Sequence, residues 1–358
     1  MNSLLDSLRL RDMHLRNRLA VSPMCQYSST DGFADDWHLV HLGSRAVGGV
    51  GLVLTEATAV TPDGRISPRD LGIWKDEHIP GLARIASFIR EQGAASGVQL
   101  AHAGRKASHA PPFDGGHRLG PDEGGWTEVY GPSPIAHRDG APAPREMSIS
   151  DIEGVVEAMD RGAARAVEAG FDTVELHFAH GYLVHEFLSG LSNLREDGYG
   201  GGFAGRTRLA LEILDAVRAR VPDRTAVLAR LSATDWVDDP AAWTIEQTVE
   251  LSRELKARGA DLIDCSSGGV SVDQVVDAGP GYNTAFAERV RREADIPTGA
   301  VGEITSAEQA EHIIRTGQAD LVLMGREFLR RPYFPLEAAA RLGGEIAWPK
   351  QYRRARRG

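Results

Sequence analysis

The chain has 358 residues, 42% of them hydrophobic and 25% charged, the balance of an ordinary globular protein, and its length suits one large barrel-type domain as well as two smaller ones. A formal net charge of -10 argues against a nucleic-acid partner, whose phosphates would be repelled. Two cysteines, Cys25 and Cys265, with no Cys-x-x-Cys pair, leave no thiolate set for zinc or an iron–sulfur cluster.

Residues 1–10 alternate polar and apolar side chains and lack the apolar centre of a signal peptide. Nowhere does a run of about 18 apolar residues suggest a membrane span. With so few cysteines, a reducing, cytoplasmic setting is expected.

Eight short apolar runs read as strands: residues 19–22, 51–55, 98–101, 173–177, 226–231, 261–265, 298–301 and 321–324. Helical spacing fills most gaps between them, over residues 38–47, 79–92, 150–169, 203–220, 244–258, 282–293 and 306–316. Ile152, Val155, Val156, Met159 and Ala163, for example, recur at steps of one, three and four. Gly93, Gly170, Gly259 and Gly317 stand where helices should stop. Eight strand–helix repeats predict an α/β fold, a (β/α)₈ TIM barrel spanning 1–358 as a single domain. A doubly wound sheet is the competing architecture. Its first strand would normally run into Gly-x-Gly-x-x-Gly, whereas this one runs into Ser22-Pro23-Met24-Cys25.

One connection is far too long for a barrel loop. Residues 103–147, after the third strand, are rich in Pro, Gly and His, and Trp126, Val129 and Tyr130 give them apolar surface to order on. Such an insertion lies on the active-site face and reads as a lid, with room for a short hairpin. The tail, 345–358, carries the basic run Arg353-Arg354-Ala355-Arg356-Arg357.

Chemistry in a barrel collects at the C-terminal ends of strands. The fourth strand ends in His177-Phe178-Ala179-His180-Gly181-Tyr182. Residues three apart face opposite ways on a continuing strand, but a curl after His177 would let both imidazoles converge. Two imidazole donors beside a phenol can polarise a carbonyl oxygen and supply a proton. A zinc site, with His185 as third ligand, or merely satisfied polar groups at a strand end, are the other readings of this segment. Glycines at 299, 302 and 325 with Arg326, after strands seven and eight, are what a phosphate site needs, because glycine lets backbone N–H groups approach and arginine adds a forked charge.

These motifs together resemble the old yellow enzyme family of FMN-dependent ene-reductases, and especially its thermophilic-like, xenobiotic-reductase branch. The matching pieces are Asn17-Arg18 with Ser22 to Tyr27, Gln99 to Lys106, Glu175 to Leu183, Phe187-Leu188-Ser189 through Asn193-Leu194-Arg195 to Tyr199-Gly200-Gly201, Arg230-Leu231-Ser232, and Gly325-Arg326. The resemblance implies NAD(P)H-driven reduction of an activated C=C bond in an enone, maleimide or nitro compound. It places Ser22, Pro23 and Met24 along the FMN ring, Ala57 and Gln99 at its pyrimidine side and Arg230 near N1. Gly302, Gly325 and Arg326 would hold the phosphate. His177 and His180 would grip the substrate carbonyl, Tyr182 would donate the proton, Tyr27 would face the substrate, and Cys25 would tune the flavin. Lys106 falls in the matching strand-end motif. Arg354 matches a tail arginine that enters a neighbouring subunit's site, implying a homodimer or homotetramer. Arg230 could otherwise be half of an interior ion pair, and Cys265 reads as inert core. Phe178, Leu191 and Ser192 depart from the family's commoner residues, and Phe178 could alter how His180 is presented.

Overall fold

A computed structural model describes residues 2–138 and 140–356. Met1, Asp139, Arg357 and Gly358 lie outside the described residues, and with Arg357 goes the end of the basic run.

The predicted strands form one closed parallel barrel: β1 (Leu19–Val21), β2 (Leu52–Ala59), β3 (Ala95–Ala101), β4 (Thr173–Phe178), β5 (Ala226–Ser232), β6 (Leu262–Ser266), β7 (Thr298–Ala300) and β8 (Leu321–Met324). Each strand pairs with the next in the chain, and β8 closes on β1 through Val322↔Leu19 and Met324↔Val21. The seven predicted helices are present, the longest being Ile149–Glu168 and Phe203–Arg220. Asp35, Ser148, Thr244 and Ser306 accept backbone N–H bonds at helix starts. The four expected stop glycines are left-handed, with φ between 76° and 97°. After β8 come two short helices, Arg326–Arg330 and Phe334–Arg341.

The pleat of each strand sorts its residues between two cores. On β4, Val174, Leu176 and Phe178 join the large outer core under the helices. Inside the barrel, Leu52, Leu54, Leu228, Leu262, Leu321 and Leu323 pack with Leu10, Met13 and Leu15. Those last three belong to an N-terminal antiparallel ribbon, Leu8–Leu10 against Met13–Leu15, which packs on this inner cluster. Full burial of each such side chain contributes about 1.5–3 kcal/mol. No described helix is long and apolar enough to cross a membrane.

Among its described residues the insertion after β3 holds no hairpin of two named strands. Tyr130–Gly131 pairs with Arg145–Glu146 in parallel, and the antiparallel contact is an isolated bridge, His109↔Arg118. Pro132 and Pro134 directly follow the first segment and lack the N–H that an extended ladder would need. A small cluster of Ala103, Ala107 and Val129 anchors the insertion, with Ile66, Trp126 and Tyr182 packed on it.

Candidate active site

The strand alternation sends Glu175 and His177 into the barrel and Phe178 outward, into the core under the helices. The curl comes three residues later than the strand's last inward side chain: His180 and Gly181 both take left-handed backbone, at φ 61° and 68°. For His180 that conformation costs on the order of 1–2 kcal/mol. Its neighbours hold it there. His180 N donates to Ser232 Oγ at 2.9 Å, Gly181 N donates to His185 Nδ1 at 2.8 Å, and Lys106 Nζ donates to the His180 carbonyl at 2.8 Å. A Cβ at Gly181 would lie 2.0 Å from the Gly269 carbonyl oxygen, so only glycine fits.

The outcome is convergence. His180 Nδ1 lies 3.4 Å from His177 Nε2, the two rings meet edge to face at 5.1 Å, and the Tyr182 ring is 5.0 Å from that of His177. Burial, then the positive charge of Arg230, holds both imidazoles well below their usual pKa, so they are neutral N–H donors at physiological pH. Burial raises the Tyr182 phenol, which keeps its proton, and the Lys106 ammonium sits 4.9 Å from the Tyr182 ring centre. His185 is not a third ligand: it turns to Asp235, 2.9 Å away, at the back of the turn. Ser266 Oγ, 2.6 Å from His180 Nε2, was not anticipated.

Ser22, Pro23, Met24, His180, Arg230, Gly302, Gly325 and Arg326 line one cavity of about 560 Å³. Its chemistry fits a flavin mononucleotide. Asn283 Nδ2 is buried there without a hydrogen-bond partner, and a Cβ at Gly302 would press to 2.9 Å from the Tyr282 ring. Arg230 Nε makes the interior ion pair with Asp264 Oδ2, at 3.1 Å, and the residue lines the cavity. Below it, Gln99 Nε2 donates to Glu175 Oε1 at 2.8 Å. Burial, then the nearby Asp264, raises the Glu175 carboxyl. Asp264 and Glu175 are charged residues inside otherwise apolar strands, a signal visible in the sequence but unused.

Ala57 and Gln99 do not line this cavity, though they are register partners on adjacent strands. Ala57 faces instead a space of about 10 Å³ shared with Asp70 and Tyr182. Cys25 and Tyr27 lie on the loop after β1 and line neither cavity. Burial, then Asp70 and Glu56, raises the Cys25 thiol, so it is no thiolate at neutral pH. The loop bearing both residues is fixed by Glu56, whose Oε2 accepts from Gln26 N at 3.1 Å while its Oε1 lies 3.2 Å from His38 Nε2. Burial alone would lower His38, but Glu56 and Asp35 raise it on balance. Sequence reasoning missed His38 and Asp70, because a strand-end site gives no reason to look in a helix or a distant loop. Arg354 is exposed on a 3₁₀ turn, Lys350–Ala355, and lines none of this cavity. Leu191 and Ser192 lie in a turn after the helix Leu183–Leu188, where the Ser192 hydroxyl donates to the Glu186 carbonyl.

Residues 3–344 match the model of the NADH:flavin oxidoreductase / NADH oxidase family. The chain is 48% identical over 346 residues to an NADPH dehydrogenase of Geobacillus thermodenitrificans (strain NG80-2), covering 96% of both. Among solved structures it is similar to morphinone reductase, with TM-score 0.79 and 26% identity over 97% of this chain and 91% of that one. A 2-naphthoyl-CoA reductase complex gives TM-score 0.85 at 26% identity over 96% of this chain, which spans only 52% of that longer protein. The chain therefore belongs to the NADH:flavin oxidoreductase family, the old yellow enzymes, and is an FMN-dependent NADPH oxidoreductase.

Proposed function

We propose that the enzyme reduces the activated C=C bond of α,β-unsaturated carbonyl compounds, with enones, maleimides and nitro compounds as its substrate class. The observation that carries this reading is the 3.4 Å convergence of two neutral imidazoles, one of them lining the cavity, with a protonated phenol ring centred 5.0 Å from the other. When bound, FMN supplies a ping-pong hydride relay through N5, from NADPH or NADH to the β-carbon of the substrate. His177 and His180 donate hydrogen bonds to the substrate oxygen and so draw electrons from the β-carbon. Tyr182 delivers the proton to the α-carbon, and Tyr27 presents a second phenol to the substrate. Arg230 would lie against the ring, Ser22, Pro23 and Met24 along it, Ala57 and Gln99 at its far edge, and Gly302, Gly325 and Arg326 around the phosphate.

Barrel, insertion and tail act as one domain, with the insertion as lid. Arg354 reaches a neighbouring subunit's site in a homodimer or homotetramer, a role its exposed position permits. Both cysteines are unpaired, in keeping with a cytoplasmic setting. The test is anaerobic flavin reduction by NADPH, then reoxidation with 2-cyclohexenone, N-ethylmaleimide or a nitro compound. Failure of every acceptor to reoxidise the flavin would reject the proposal.

Cys25 gives a separate prediction. As a neutral, polarisable thiol near the site it should tune the flavin, not react. Cys25→Ala is expected to leave FMN bound and shift its midpoint potential. A shift of about 30 mV, roughly 1.4 kcal/mol for two electrons, is readable by dye equilibration. An unchanged midpoint with unchanged enone kinetics would make Cys25 inert core.

A further inference from the structure

His180 is held twice from outside its own turn. Ser232 and Ser266 stand side by side as register partners at the ends of β5 and β6. Ser232 Oγ accepts from the His180 backbone N–H and donates its own proton to the Gly268 carbonyl, 2.8 Å away. Ser266 Oγ meets the ring instead, 2.6 Å from Nε2. Ser266 is buried and lines the cavity, and its hydroxyl has no other partner among the described residues.

These contacts bear on which nitrogen of each ring carries the hydrogen. A neutral imidazole has one N–H and one bare nitrogen. Ala179 N donates to His177 Nδ1 at 3.3 Å, so Nδ1 is bare and the hydrogen of His177 is on Nε2. That Nε2 faces His180 Nδ1 at 3.4 Å. Two arrangements of His180 remain. With its hydrogen on Nε2, the N–H is spent on Ser266, Nδ1 takes the His177 N–H, and neither ring has a donor free for substrate. With its hydrogen on Nδ1, the two rings offer N–H groups from neighbouring positions, and one carbonyl oxygen can accept both. The Ser266 hydroxyl separates these arrangements. A buried O–H needs an acceptor, and the one here, His180 Nε2, accepts only when bare. The 3.4 Å between the rings is also long for an N–H hydrogen bond, so the first arrangement gains little from it.

We propose that Ser266 is a positioning residue: its hydroxyl donates to His180 Nε2 and holds the ring in the Nδ1–H tautomer that the carbonyl clamp requires. The inference deepens the carbonyl-clamp reading and rests on it. The tautomer is read by ¹⁵N spectra of histidine-labelled, FMN-loaded protein with cyclohexanone, a carbonyl compound with no C=C bond to reduce. His180→Asn protein identifies the His180 signals. Nδ1 should be protonated and Nε2 bare. In Ser266→Ala the preference should fall to a mixture of both forms. Flavin reoxidation by 2-cyclohexenone should slow about 10-fold in that variant, with reduction by NADPH within about twofold. Ser266→Thr keeps a hydroxyl and should restore the tautomer and most of the rate. Hydrogen on Nε2 in the unaltered protein, or a tautomer that Ser266→Ala leaves unmoved, would overturn the assignment. Equal slowing of both half-reactions would overturn it too, placing Ser266 with the cofactor. If no acceptor reoxidised the flavin of the unaltered enzyme, the carbonyl reading would fail, while the spectra would still decide the tautomer.

Discussion

Replacing both His177 and His180 with alanine is expected to slow flavin reoxidation by 2-cyclohexenone about 10³-fold or more, with reduction by NADPH retained. Removing a single oxyanion donor typically costs about 10²–10³-fold. The two imidazoles touch at 3.4 Å, so their losses should combine to less than the product of the single effects. Position 180 needs a second variant, because alanine at φ 61° carries backbone strain of its own. Asparagine tolerates left-handed backbone and keeps an N–H donor, so His180→Asn should retain more activity than His180→Ala. Both imidazoles are held neutral by burial and Arg230, so the unaltered rate should show no histidine titration between pH about 6 and 8. A double variant that turns over enone at full rate would end the carbonyl-clamp assignment. A rate falling as pH rises through about 6.5 would mean that an imidazolium does the work.

Tyr182→Phe should slow the same half-reaction by about 10²-fold or more, and leave reduction by NADPH unchanged. The substitution removes only the hydroxyl. The ring still packs on Ala103, Ala107 and Val129 and under the Lys106 ammonium, so folding should not confound the result. Because burial raises this phenol, the group enters the reaction protonated, as a donor must. Stopped-flow reoxidation in H₂O and D₂O checks it. If rate and isotope effect match the unaltered enzyme, the proton comes from water or from Tyr27.

Much of the molecule was legible in one dimension. Alternation along Val174 to Phe178, helical spacing after each strand and stop glycines such as Gly170 are local signals, and local sterics and solvent partition alone enforce them. They determined the eight barrel strands, seven of the helices and the barrel. The motifs at strand ends located residues around the cavity that Arg230 lines for the same reason, since a barrel always gathers those ends on one face. The parallel pairing of Tyr130–Gly131 with Arg145–Glu146 was not legible, because it depends on where the insertion returns and not on its own pattern.

What only the tertiary structure decided are meetings between residues far apart in the chain. Glu56 reaches His38 and the Gln26 N–H, Arg230 meets Asp264, and Asp70 comes beside Tyr182. Ser266 meets the ring of His180. The protonation of the site belongs to the same class. A histidine in sequence has one ordinary pKa; whether His177 is an imidazole or an imidazolium depends on desolvation and on charges delivered by other strands. Spacing and side-chain type are properties of the chain, whereas burial and through-space charge exist only once the chain has closed on itself.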